Sequence, residues 1–227
     1  GGLVRDFLLG VPSTDLDVVI ASDKLDGLGF AAEVVRRRGG QLVTHERFRT
    51  ATWHPAEGDY FVDFITARRE RYAAPGRLPD VTPSTIKDDL RRRDFSINTL
   101  AIRLDGGYLG TLIDQHNGVD DLLEQVIRVL HGRSFQDDAT RIWRAVRYEQ
   151  RLGFRIEPET AGYLQRDLVY LRTISGDRIR HELALVLQEQ RRGLMVQRLD
   201  MLGVLAYIQP DLRWYADLAA VWEHLPA

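Results

Sequence analysis

The hydrophobic pattern of this 227-residue chain changes period part-way along, and that change limits what it can fold into. Before about residue 119, short apolar and β-branched runs at 15–21, 40–45, 49–54 and 59–66 read as strands. A helix is expected over 26–39, ending at Gly39-Gly40, with paired strands across 41–66 turning at His45-Glu46 and Glu57-Gly58. Residues 73–85 (AAPGRLPDVTPST) are rich in Pro, Gly and small residues and read as a mobile loop. From 86 a helix is expected to carry RRRDFSINTLAI, followed by a strand–turn–strand over 101–113 with Asp105-Gly106-Gly107 at its turn. After 119 the spacing is helical, near 119–124, 137–152, 158–167, 175–192, 194–202 and 211–225, with breaks at Gly153, Gly193, Gly203 and Pro210. The expected fold is therefore α+β: a mixed β-sheet domain followed by an all-helical one.

Composition narrows the function. No run approaches the roughly 18 apolar residues of a membrane span, so no membrane partner is expected. Cysteine is absent, which fits a reducing, cytoplasmic setting and leaves any metal to oxygen or imidazole ligands. The net charge of −2 argues against a strongly basic nucleic-acid protein. Lysine occurs only at Lys24 and Lys87, so positive charge is almost all arginine, the residue suited to bidentate phosphate and base contacts. Arginine clusters at Arg36–Arg38, at Arg68–Arg71 around Glu70, at Arg91–Arg93 and along 141–151. Arg36–Arg38 reads as solvated surface.

Asp15 and Asp17, one residue apart, head the strand Val18-Val19-Ile20 and point to one face of it. With Gly1 and Gly2, where backbone can approach a phosphate, they could hold metal ions against a triphosphate; an acidic turn before a strand is the other reading. Asp63 lies inside the apolar strand Tyr60–Ile65, as a third metal-site carboxylate or as a strand-end partner of Arg68 or Arg69. Asp94 and Asn98, four apart beside Arg93, suit a ribose and a phosphate, or form a structural polar pair. Ser134 with Asp137 resembles a capping box opening a helix that runs to Gly153. On that helix Asp138 and Arg141 share a face, continued by Arg144, Arg147 and Arg151. They could read a Watson–Crick edge, accepting from an exocyclic amine and donating to the adjacent ring nitrogen, or simply form an i, i+3 salt bridge.

These pieces occur in one order. GGLVRD, DLDVV, THERFRTATW, VDFITARRE, RRDFSINTLAI, DQHNGVDDLLEQVIR, DDATRIWRAVRYEQRLGF and TISGDRIRHEL together resemble the bacterial (class II) tRNA nucleotidyltransferase and poly(A) polymerase family, over residues 1 to about 190. The resemblance implies a polymerase-β-type nucleotidyltransferase head over 1–132, a helical nucleotide-selecting neck over 133–192 and the start of a helical body over 193–227. It implies magnesium on Asp15 and Asp17, with Asp63 as the third carboxylate of the catalytic set. Gly1, Gly2 and Arg5 would meet the triphosphate, while Arg93, Asp94 and Asn98 match the ribose and phosphate motif. Asp138 and Arg141 match the protein template that selects CTP and ATP, supported by Arg144, and by Arg178 with Glu182. The implied partner is the 3′ end of tRNA.

Asp137, Asn117 and Thr99 depart from the commoner Glu, Gly and Ala at those places. Full CCA addition, CC-only or A-only addition and polyadenylation stay open, although THERFRTATW lacks the basic, histidine-bearing stretch of the poly(A) polymerases. The loop at 73–85 is where the family separates CC from A addition. Outside the family, a catalytically silent RNA-binding paralogue is opposed by the intact Asp15, Asp17 and Asp63. A metal-dependent phosphohydrolase lacks its histidine–aspartate pair. Gly1 and Gly2 belong mid-motif, so the reading expects either a piece of a longer protein or a disordered start.

Overall fold

The computed structural model describes residues 1–14, 16–215 and 217, so Asp15 and most of the helix expected over 211–225 lie outside the described residues. The described chain divides into two units: Gly1–Arg71 with Pro79–Leu122, and Tyr72–Leu78 with the described residues from Leu123 onward. The first opens in α1 (Gly2–Leu8). Leu3, Arg5 and Leu8 are strong helix formers, and burial of Val4 and Arg5 holds the turn in place.

Next come β1 (Leu16–Ile20) and α2 (Gly27–Arg38), whose first turn is capped by the Asp26 carboxylate accepting from the Gly29 N–H at 2.9 Å. Three strands follow: β2 (Gln41–His45), β3 (Thr50–His54) and β4 (Val62–Thr66). They form a sheet in the order β1-β4-β3-β2, parallel between β1 and β4 and antiparallel elsewhere. Alternation sorts its residues. Leu16, Val18, Val62 and Phe64 pack with Ala31, Leu28 and Val34 of α2, so α2 covers that face. Asp17 and Asp63 alternate onto the opposite face. α2 comes so close to β4 that a Cβ at Gly27 would lie 2.8 Å from the Thr66 nitrogen, which only glycine avoids.

β5 (Arg68–Arg71) and β6 (Asp80–Pro83) pair antiparallel, so part of the stretch expected as a mobile loop is a strand. The β-branched pair Val81-Thr82 fits a ladder, and Pro83 falls at its end, where a missing N–H is tolerated. α3 (Ile86–Arg91), the short pair β7 (Ala101–Ile102) and β8 (Leu112–Ile113), and α4 (Gly118–Leu123) complete the unit. The Asp114 carboxylate accepts from the N–H groups of Gly118 and Val119 and so starts α4.

The second unit comprises β9 (Val126–Ile127), α5 (Ser134–Asp137), α6 (Thr140–Leu152), β10 (Arg155–Ile156), α7 (Pro158–Asp167), α8 (Gly176–Leu187), α9 (Arg192–Met201) and α10 (Val204–Ile208). It is not wholly helical, because β9 and β10 pair in parallel. Gly153, left-handed at φ 69°, ends α6 and turns the chain towards β9. A two-residue strand leaves no period to read in a sequence. Ile142, Trp143 and Val146 of α6 are buried, as are Val186 of α8 and Met195 and Leu199 of α9, and α6 packs on both helices. No helix among the described residues is long and apolar enough to cross a membrane.

Candidate active site

The parallel register of β1 and β4 places Asp17 directly beside Asp63. Neighbouring strands run about 4.8 Å apart, so two like charges face each other, an arrangement that costs stability unless a cation offsets it. The third strand braces one of them: Thr52 pairs in register with Asp63, and its hydroxyl donates to Asp63 Oδ1. Asp63 Oδ2 carries no hydrogen bond among the described residues. This all-oxygen pair fits a hard divalent cation. Among the described residues no third Asp, Glu, His or Cys joins them; Asp15, expected with Asp17 to hold the metal, lies outside that set.

The Gly1 amino group is within electrostatic reach of Arg93, Asp17, Arg5 and Asp89. A Cβ at Gly1 would run into the Arg93 guanidinium and come within 3.0 Å of the Asn98 carbonyl oxygen, so a side chain there would have to displace Arg93. Gly2 is the first residue of α1. Arg93 is moored by Asp89, 3.3 Å from its Nη2, while its buried Nε–H has no partner among the described residues. An orphaned guanidinium donor is a cost that an anionic ligand removes.

Asp89 is fully buried and also accepts from Arg92 and from the Arg68 N–H; Arg92 and Arg68 in turn share Glu70. The sequence reading missed Asp89 and Glu70. The i, i+3 and i, i+4 spacing from Asp89 to Arg92 and Arg93 was the available signal for the first; the bond from Glu70 to Arg92, beyond α3, had none.

Asp94 and Asn98 do meet, but not on a helix. α3 stops at Arg91, Phe95 is extended, and Ser96–Asn98 form a single 3-10 turn. The cause is local: Asp94 Oδ1 accepts from the Phe95 N–H and from Asn98 Nδ2, both at 2.9 Å, which competes with helical bonding. Arg5, expected at the triphosphate, is buried; its Nη1 donates to Asn98 Oδ1 at 2.6 Å and its Nε to Asp6. The Asn98 amide is therefore held at both ends.

In the helical unit the expected helix from Ser134 to Gly153 is broken at Asp138, which is extended. Ser134 makes no capping bond there; its hydroxyl accepts from Arg141 Nη1 at 2.7 Å. Asp138 Oδ1 takes the start of α6 instead, accepting from the Thr140 N–H and hydroxyl and from Arg178 Nη2 at 2.7 Å. The single-helix i, i+3 face is thus replaced by two separately held side chains, Asp138 on Arg178 and Arg141 on Ser134. Asp138 Oδ2 has no hydrogen bond among the described residues. Arg144 lies over the Tyr148 ring, 5.6 Å from its centroid. Behind it, Arg147 and Glu182 form a buried pair 3.1 Å apart. Burial pushes the Glu182 carboxyl above and the Arg147 guanidinium below its ordinary range, despite their attraction.

Comparison with known proteins bears on the family. The family described as "Poly A polymerase head domain" matches residues 1–128, and "Probable RNA and SrmB- binding site of polymerase A" matches 153–215. The A-adding tRNA nucleotidyltransferase of Geobacter sulfurreducens is 43% identical over 93% of this chain and 24% of its own length. The CC-adding tRNA nucleotidyltransferase of Deinococcus radiodurans is 40% identical over 89% of this chain and 53% of its own. The solved Thermotoga maritima CCA-adding enzyme complexed with tRNA superposes with a TM-score of 0.80 at 39% identity, covering 96% of this chain and 49% of that one. The chain thus spans between a quarter and about half the length of these relatives. The head match alone takes in more than half of the chain and contains Asp17, Asp63 and Arg93, so the chain belongs to the tRNA nucleotidyltransferase and poly(A) polymerase family.

Proposed function

We propose that this chain carries the nucleotidyl-transfer and base-selecting machinery of an enzyme that adds C, A or both from CTP and ATP to the 3′ end of tRNA. The Asp17–Asp63 register carries the reading: two carboxylates on the sheet face that α2 leaves uncovered, with Gly1 within electrostatic reach of both Asp17 and Arg93, an arginine with an unmet donor. The family is one of nucleotidyltransferases that are generally metal-dependent, and we assign magnesium to Asp15 and Asp17. Bound there, magnesium supplies the charge that eases ionisation of the attacking hydroxyl and steadies the leaving phosphates.

The RNA 3′-hydroxyl attacks the α-phosphorus, the α–β bridging bond breaks, and pyrophosphate leaves. Asp63, one oxygen braced by Thr52, orients the hydroxyl or takes its proton through Oδ2. Gly1 and Gly2 let backbone approach the triphosphate, and Arg93 donates to its oxygens. Asp94 and Asn98 meet the ribose. Arg5 holds the Asn98 amide, so its part in triphosphate binding is indirect. Asp138 Oδ2 accepts the exocyclic amine of cytosine or adenine and Arg141 donates to the neighbouring ring nitrogen, which rejects uracil and guanine. Arg144, and Arg178 through Asp138, support that template. With tRNA as acceptor, the reaction belongs to the cytoplasm.

The test is incubation with tRNAs ending before CCA, after C and after CC, supplying one nucleotide at a time. Lengthening with CTP or ATP and not with UTP or GTP is expected, and its pattern separates CCA, CC-only, A-only and poly(A) addition. No lengthening on any acceptor with magnesium present overturns the proposal.

A further inference from the structure

Arg36 and Arg37 behave as solvated surface, since both bond Glu33. Arg38 differs. It has no ion pair among the described residues and lines a cavity of about 360 Å³ with Trp53, Pro55, Ala56, Glu57 and Tyr60. The cavity is open to solvent, with Arg38, Glu57 and Tyr60 exposed. Its aromatic walls are held in place. The Trp53 indole N–H donates to the Gly39 carbonyl at 2.9 Å, and a Cβ at Gly40 would sit 2.7 Å from that nitrogen, so Gly40 makes room for the ring. A Cβ at Gly58 would sit 2.8 Å from the Tyr60 ring. The two rings stand edge to face, 6.5 Å apart at 85°.

The cavity is separate from the carboxylate pair. Trp53 pairs in register with Val62, on the α2-covered face, whereas Thr52 pairs with Asp63 on the other. We propose that this cavity is a second nucleotide site, taking a nucleobase against Trp53 and Tyr60 with its phosphate towards Arg38, either as free nucleotide or as a residue of RNA. Every base has a π-face, so aromatic walls accept it, and an arginine beside them suits its phosphate. Glu57, without a hydrogen bond among the described residues, repels a bare anion and offers an acceptor to an amino-bearing base such as adenine. The inference rests on these walls and is independent of the proposed transfer reaction.

The protein is titrated with AMP, oligoadenylate and inorganic phosphate in EDTA, which removes metal-dependent binding at Asp17 and Asp63. AMP and oligoadenylate should bind and phosphate alone should not. AMP binding as tightly as oligoadenylate identifies free nucleotide as the ligand, and a clear preference for oligoadenylate identifies RNA. Tyr60→Ala and the exposed Arg38→Ala should each weaken binding about tenfold with the circular dichroism spectrum unchanged. Failure of both AMP and oligoadenylate to bind overturns the proposal and leaves the face to a protein partner. Phosphate binding as well as AMP, or both variants binding like the parent protein, also overturns it.

Discussion

The two units differ in how they place like charges. The sheet unit has ion pairs of its own, Asp89 and Glu70 with their arginines, but it also sets two carboxylates side by side, Asp17 against Asp63. In the helical unit the same kinds of side chain are joined to opposite partners: Asp138 to Arg178, Arg147 to Glu182, Glu149 to Arg198 and Arg151 to Glu189. The difference suits the two tasks proposed for these units. Binding a metal and a polyphosphate requires charges whose best partner is the ligand itself. Reading one edge of a base requires groups that do not move, and opposite partners fix them.

The largest expected effect comes from removing half of the like-charged pair. Asp63→Asn should lower nucleotide incorporation at least a thousandfold in kcat while leaving the unfolding midpoint in urea unchanged or slightly raised, because a repulsion is lost. A similar rate with a lowered midpoint would show that Asp63 is structural, and the contrast between the units would collapse.

In the helical unit the effect should appear as stability. Arg147→Leu strands a buried carboxylate at Glu182 and should cost about 3–5 kcal/mol by urea denaturation, with much of that recovered in the Arg147→Leu/Glu182→Leu double variant. Asp89→Asn should act on Arg93 and raise the KM for CTP and ATP about tenfold with kcat less affected, read from initial rates. Arg178→Ala should loosen Asp138 and relax preference for CTP and ATP over UTP about tenfold, with little change in stability, since Arg178 is partly exposed. The smallest effect is a pH slope. Folding raises the Glu182 pKa above its ordinary 4.5, so the folded chain keeps that proton to higher pH than the unfolded chain. Unfolding free energy should therefore fall as pH rises from about 4.5 through the raised value, and Glu182→Gln should flatten that part of the curve.

The sheet side of this contrast was largely legible. β1, β2, β3, β4 and α2 follow the expected spans to within a few residues, because alternation and the Asp26 and Gly39 ends are local signals. The helical side was legible in its helices but not in its partners. Asp138 and Arg141 at i, i+3 promised a shared face, and the break after Asp137 removed it. Asp94 and Asn98 came together through a turn where a helix was expected, so the right residues met for a different local reason. The loop at 73–85 hid β6, because pairing with Arg68–Arg71 is a non-local event.

By itself, then, the sequence determined which residue types stand at which spacing: the aspartates on alternating strand positions, the Arg92-Arg93-Asp94 run after α3, and the division into a sheet part and a mainly helical part. Register and ion-pair choice were decided only in three dimensions. Asp17 faces Asp63 because β1 lies parallel to β4 across the crossover through α2, a pairing of residues 46 positions apart. Asp138 is held by Arg178, 40 positions away, and Arg38, at the end of α2, meets Trp53 and Tyr60 from a later stretch of the chain. The physical reason is the same in each case. Side-chain period follows from the local backbone, whereas the partner of a charge depends on which distant segment the buried core brings beside it.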